Sequence, residues 1–226
     1  MKNLIIISFV FLTAYTSKGQ SHTKQNKNSP VKTVPKKFLD INNVNDTTFV
    51  NLKNYNDDFI YDMKYATTDN FLKTAVYDCA ECYLRAKTVK ALIKANKDFL
   101  DKGYLIKIWD CYRPLDVQKR MWEIVPHTNY VASPTKGSIH NRGGAVDITL
   151  VNSDGYEVDM GTPFDYFDIK AHHDYKGLAK DILLRRKLLK EIMQQNGFTL
   201  ISTEWWHYDL IGSKNNKISN FKWDCK

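Results

Sequence analysis

The sequence predicts an α+β fold with a small, mainly antiparallel sheet and flanking helices. Three observations carry this expectation. Helical and strand-like stretches follow one another without regular alternation. The helical stretches have the 3.6-residue apolar spacing of amphipathic helices, and the strand-like runs are short. The 226 residues are 43% hydrophobic and 26% charged, a globular balance that can bury a core without disulfide staples.

Residues 87–101 place Val89, Leu92, Ile93 and Leu100 at helical spacing, with Gly103 as a stop. Residues 104–109 (YLIKIW) form a short apolar run with strand character. Pro114 suits the first turn of a helix over 114–124, where it needs no hydrogen-bond partner. Residues 145–151 (AVDITLV) alternate as a strand does. A long amphipathic helix over 174–195 ends near Gly197, and strands follow at 198–201 and 205–210.

The N-terminus reads as an export signal over residues 1–19. Lys2 precedes the nine-residue apolar run Leu4–Leu12, and Ser17-Lys18-Gly19 offers a cleavage point. A bilayer span needs roughly 20 apolar residues, so no transmembrane span is expected in the mature chain. No cysteine follows the run, which excludes a lipoprotein anchor there. Residues 20–37 hold five lysines and no acid, and read as a flexible basic linker. Residues 38–226 form the folded domain. Of the net charge of +8, seven charges precede residue 38, so the domain is near neutral and nucleic acid is not an expected partner. The expected location is secreted or periplasmic.

Four cysteines remain, Cys79, Cys82, Cys111 and Cys225, which allow three full pairings. Cys79 and Cys82 form a lone CxxC. It does not sit at a strand-to-helix turn of a βαβ unit, so a structural role is expected rather than redox chemistry.

The residues that carry chemistry concentrate in two segments. In Ser138-Ile139-His140-Asn141-Arg142-Gly143-Gly144-Ala145-Val146-Asp147, two glycines let the chain fold back between His140 and Asp147. Imidazole and carboxylate are both common zinc ligands. In Glu204-Trp205-Trp206-His207, a twist or bulge in a strand would bring Glu204 beside His207. Two histidines and one carboxylate leave an open position for water, the arrangement of a catalytic zinc site, with Glu204 as the base. Arg113, at an element boundary in Asp110-Cys111-Tyr112-Arg113-Pro114, suits an oxyanion. His172 and His173 are adjacent ahead of a helix and cannot easily share one metal; His22 and His127 lie in linker and loop.

These segments, with Tyr65-Ala66-Thr67-Thr68-Asp69-Asn70-Phe71 and Met160-Gly161-Thr162-Pro163-Phe164-Asp165, resemble the D-alanyl-D-alanine dipeptidases, zinc peptidases that include the vancomycin-resistance dipeptidases. The five blocks occur in family order over roughly residues 55–212. The resemblance implies one Zn²⁺ per chain, held by His140, Asp147 and His207. It implies Glu204 as catalytic base and Arg113 as stabiliser of the tetrahedral intermediate. Asp165 would hold the substrate's free ammonium, and Ser138 and Tyr65 would line the pocket. The implied substrate is a small dipeptide, and the implied fold is the α+β core shared with D-Ala-D-Ala carboxypeptidases and the hedgehog signalling domain. Trp205 and Trp206 are expected to narrow the pocket around the D-alanyl methyls. The competing readings are a related zinc peptidase of other dipeptide or stem-peptide specificity, and an inactive metal-containing module that binds peptide or glycan. The export signal departs from the cytoplasmic resistance enzymes and suits turnover of cell-wall dipeptide.

Overall fold

The computed structural model describes residues 37–225. The export signal assigned to 1–19 and all of the linker but Lys37 lie outside the described residues.

The fold is mixed α+β. Strands β1 (Phe49–Asn51), β2 (Ile60–Tyr61) and β3 (Tyr83–Arg85) precede helix α1 (Ala86–Leu100). Strand β4 (Tyr104–Asp110), helix α2 (Leu115–Ile124) and strand β5 (Ala145–Asn152) follow, then helix α3 (Lys180–Gln195) and strands β6 (Phe198–Leu200) and β7 (His207–Leu210). The main sheet has the order β2-β4-β5-β7-β6, and β1 pairs with β3 in a separate ribbon. All pairings in the main sheet are antiparallel except β2 with β4, which is parallel.

The central strand β5 is buried from Ala145 to Val151, because it is paired on both edges and covered on both faces. Val146, Ile148 and Leu150 join Ile106 and Ile108 of β4 in the main core, with Val89, Leu92 and Phe99 of α1 and Leu189, Ile192 and Met193 of α3. Asp147 lies between two of these apolar residues and so turns to the opposite face. Strand register then does the work of assembly. Asp147 is directly opposite His207 on β7 and opposite Asp110 on β4, just past an irregularity at Trp109. Side chains directly opposite in neighbouring strands share a face, so Asp110, Asp147 and His207 form a row.

Several sequence expectations shift. On α1 the buried stripe is Val89, Leu92, Ala95 and Phe99, while Leu100 is exposed. Pro114 stands one residue before α2, in extended conformation. Helix α3 begins at Lys180, not 174, because Ala179 is extended and Leu178 packs with Ile182 against the bare face of Gly161. Strand β7 begins at His207, not 205. Trp205 and Trp206 instead occupy a turn and are both buried. Trp205 donates from its indole to Thr162 Oγ1 (2.7 Å), and its ring meets Trp109 and Trp206 edge-on.

The cysteines of the CxxC do not pair with each other. Cys82 bonds to Cys111, both fully buried, and Cys79 bonds to Cys225 near the C-terminus. Cys82–Cys111 ties the residue before β3 to the residue after β4. Cys79–Cys225 secures the segment after β7.

Candidate active site

Each functional side chain is placed by a local device. His140 opens a single helical turn, His140–Arg142, closed by Gly143 in the left-handed region (φ 70°). A Cβ at Gly143 would lie 2.5 Å from the Phe49 ring, so glycine is needed for both conformation and space. The chain then enters β5 and delivers Asp147. His207 begins β7 after a turn in which its N–H faces the Glu204 carbonyl (3.4 Å). That turn, not a twisted strand, brings residues 204 and 207 together.

His140, Asp147 and His207 are all buried, and their ligand atoms lie within 4.8 Å of one another. His140 Nε2 is 3.2 Å from His207 Nδ1 and 3.4 Å from Asp147 Oδ2, and His207 Nδ1 is 2.9 Å from Asp147 Oδ1. The outer ring nitrogens decide the tautomers. His140 Nδ1–H donates to the Cys111 carbonyl (2.7 Å), and His207 Nε2–H donates to Asp209 Oδ1 (2.9 Å). Each neutral ring therefore turns a lone pair toward the Asp147 carboxylate. With both rings neutral, three lone-pair donors converge on one point, an arrangement that calls for a cation: a proton that His207 Nδ1 shares with Asp147, or a metal ion in its place. A tetrahedral zinc with bonds of 2.0–2.1 Å has ligand–ligand edges of roughly 3.3–3.4 Å, close to the spacings found. The second nitrogen of each ring is held by a carbonyl or a carboxylate, as is usual for metal-ligating histidines. The donor set fits zinc.

Electrostatics agree. Burial would raise the Asp147 carboxyl, but His140 and His207 hold it well below the usual carboxylate range. Burial would lower His207, but hydrogen bonds to Asp147 and Asp209 push it well above an ordinary histidine. The site thus attracts positive charge strongly enough to overcome desolvation. Glu204 is raised, chiefly by burial and further by Asp147.

Arg113 is buried. Its guanidinium donates to Asp110 Oδ2 (2.6 Å) and Gln118 Oε1 (2.9 Å), while its Nε–H has no protein partner. Asp110 also accepts from the Tyr77 hydroxyl (2.7 Å). Asp165 is one of two non-glycine residues in the left-handed region among the described residues (φ 56°). Such strain persists where surrounding structure requires a particular side-chain direction. Its carboxylate accepts from Tyr65 Oη–H (2.9 Å), and burial followed by repulsion from Asp147 pushes its pKa well up. Ser138 accepts from the His140 N–H (3.2 Å).

Tyr65, Arg113, Ser138, His140, Asp147, Asp165, Glu204 and His207 all line one cleft of about 440 Å³. Every site residue named from sequence is therefore gathered in one place. Of the tryptophan pair only Trp206 lines the cleft; Trp205 packs in the core with the Arg186 guanidinium over its ring (5.5 Å). His172 and His173 stand outside the metal group, and burial with nearby Lys190 and Arg186 lowers His173 to about 4. Sequence reasoning gave no role to Asp110, Asn141 or Asp209. Asp209 had a signal, since it lies two residues after His207 on a strand and so shares its face.

A family model described as D-ala-D-ala dipeptidase matches residues 45–224. The chain belongs to this family of peptidases. The D-alanyl-D-alanine dipeptidase of Escherichia coli (strain K12) is 36% identical over 168 residues, covering 74% of this chain and 87% of that protein. The D-alanyl-D-alanine dipeptidase of Enterococcus faecium is 34% identical, covering 66% and 85%. Among solved structures, a vancomycin resistance D,D-pentapeptidase VanY mutant in complex with Zn(II) matches with a TM-score of 0.38 and 17% identity, over 59% of this chain and 75% of that one. The LdcB LD-carboxypeptidase matches with a TM-score of 0.40 and 22% identity, over 59% and 61%.

If Asp209 fixes the tautomer of His207, Asp209→Ala should weaken zinc binding by about 10–100-fold. Competition against a chelator of known affinity measures this; an unchanged dissociation constant would remove the assigned role.

Proposed function

We propose that this protein is a zinc-dependent D-Ala-D-Ala dipeptidase, releasing D-alanine in turnover or trimming of cell-wall peptide. The observation that carries this reading is the position of Asp165. A half-buried carboxylate in left-handed conformation, bonded by the Tyr65 hydroxyl, lines the same cleft as the His140–Asp147–His207 group.

His140, Asp147 and His207 would hold one zinc per chain, and bound zinc would serve as a Lewis acid toward water and the scissile carbonyl. Glu204 takes the proton from the attacking water and returns it to the leaving amine. Its raised pKa suits a group that must both accept and give a proton. Arg113 supplies positive charge to the carbonyl oxygen as it becomes negative, and Asp110 holds the guanidinium in place for that task. Asp165 receives the substrate's α-ammonium. Burial and then Asp147 disfavour its charged form in the free protein, and a substrate ammonium beside it would favour that form. A substrate acylated at nitrogen has no such charge and would leave the carboxylate uncompensated, a cost of several kcal/mol. This explains a dipeptidase rather than an endopeptidase. Tyr65 orients Asp165, and Ser138 lines the pocket beside His140.

The fold proposed is that of the D-Ala-D-Ala peptidase and hedgehog type. The proposed location is outside the cytoplasm, in the periplasm or secreted, after removal of residues 1–19. The apolar run Leu4–Leu12 supports this, and so do two disulfides with no free cysteine, which suit an oxidising compartment.

The zinc-loaded chain is expected to release D-alanine from D-Ala-D-Ala, and to leave N-acetyl-D-Ala-D-Ala and L-Ala-L-Ala intact. No release from any of the three with zinc bound would refute the reading. Glu204→Ala should retain zinc yet lower kcat by about 10²–10⁴; wild-type turnover would sink the base. Asp165→Ala should damage cleavage of the free dipeptide far more than any residual cleavage of its N-acetyl form, and equal losses would exclude the ammonium clamp.

A further inference from the structure

The segment after β7, residues 213–225, takes no part in the chemistry above, yet it bonds to both stretches of chain that carry it. It has no helix or strand beyond the short turn Ser213–Asn215, so its place is set by individual contacts. Ser219 is central. Its N–H donates to the Asn141 carbonyl (2.8 Å), and its own carbonyl accepts from the Leu115 N–H (3.1 Å). One residue of the strap thereby stitches the His140 turn to the start of α2, two residues after Arg113.

Asn141 carries the connection inward. It is fully buried, and both ends of its amide are used. Oδ1 accepts from the Ser138 N–H (2.7 Å), and Nδ2 donates to the Arg113 carbonyl (2.7 Å). The Arg113 N–H in turn donates to the His140 carbonyl (3.1 Å). A single side chain therefore sets three candidate site residues relative to one another.

The outer end of the strap is held by aromatic stacking and a covalent latch. Phe221 stacks on Phe49 (5.1 Å between centroids) and Trp223 on Tyr83 (4.9 Å). Both rings are only partly covered, and Cys225 beyond them is exposed. Cys79–Cys225 closes that end. Between the latch and Ser219, Asn220 and Lys222 bind Asp116 and the Phe221 carbonyl accepts from the Tyr112 hydroxyl.

We propose that the C-terminal strap is a positioning element of the active site: latched by Cys79–Cys225, it braces Asn141 and, through Asn141, the relative placement of Arg113, Ser138 and His140. The inference rests on the roles given to those residues above.

The test compares full-length wild type, Cys79→Ser/Cys225→Ser, Asn141→Ala and the triple variant. The double cysteine variant leaves every buried side chain near the zinc group unchanged, so it reads the strap even if Asn141→Ala fails to fold. At a temperature well below melting, the unlatched variant should lose about tenfold or more in kcat with KM little changed. By chelator competition its zinc affinity should fall about tenfold. The triple variant should be no worse than Asn141→Ala, because both changes act on one path. Three results would overturn the proposal: a lowered melting temperature with wild-type kcat and zinc affinity, losses that multiply in the triple variant, or no change at all. If the wild type does not cleave D-Ala-D-Ala, the functional reading fails, and the zinc arm still decides the role of the strap.

Discussion

Two imidazoles and a carboxylate, all buried, bring their ligand atoms within 2.9–3.4 Å of one another. Much of the surrounding architecture follows from holding that arrangement in place. Left without a cation, it would set like-signed density together in a medium that screens poorly, and the burial of Asp147 alone would cost several kcal/mol. The protein commits the opposite nitrogen of each ring to a fixed acceptor, so neither can flip to relieve the repulsion. One acceptor is a backbone carbonyl beside a buried disulfide, and the other is a carboxylate on the same strand as its histidine. The geometry is thus prepared for a metal before one binds.

The sheet makes this preparation rigid. Asp110, Asp147 and His207 come from three neighbouring strands in direct register, so their spacing is that of a β-ladder rather than of loops. Loops supply what must be tuned, namely the Glu204 turn, the strained Asp165 and the turn bearing Ser138 and His140. Asp110 belongs to the row without being a zinc ligand. It pairs with Arg113 and so places a positive charge beside the negative cluster at fixed distance. Two carboxyls raised by burial, Glu204 and Asp165, lie in the same cleft as one held low, Asp147. Divergent behaviour among carboxylates that share a site is the usual basis for dividing acid, base and binding roles.

Much of this was legible in the sequence, for identifiable reasons. Helix α1, strands β4 and β5 and most of α3 show in the apolar pattern because they are long enough for a period to emerge. Strands β1, β2 and β3, with two or three residues each, are too short to carry one. The apolar spacing starts α3 six residues early because Leu178 continues it while packing from an extended segment. His140, Asp147, His207, Glu204 and Arg113 were recognisable from residue type and company. Asp165, Tyr65 and Ser138 came through family resemblance, since an aspartate after Gly-Thr-Pro-Phe carries no chemical signature of its own. Asn141 and the Cys111 carbonyl are not legible, because the bonds that join Asn141 to Arg113 and Cys111 to His140 span 28 and 29 residues and run to or from backbone. The disulfide pairing stayed open at three alternatives until the fold brought Cys79 to Cys225 and Cys82 to Cys111.

We propose that the buried histidine–aspartate group is a zinc centre built from imidazole and oxygen donors. X-ray absorption at the zinc edge, on the purified full chain with metal content determined in parallel, tests it most directly. One zinc per chain, two imidazole ligands and otherwise only oxygen are expected. Zinc retained at well below one equivalent, or a sulfur shell near 2.3 Å from opened cysteines, would contradict it.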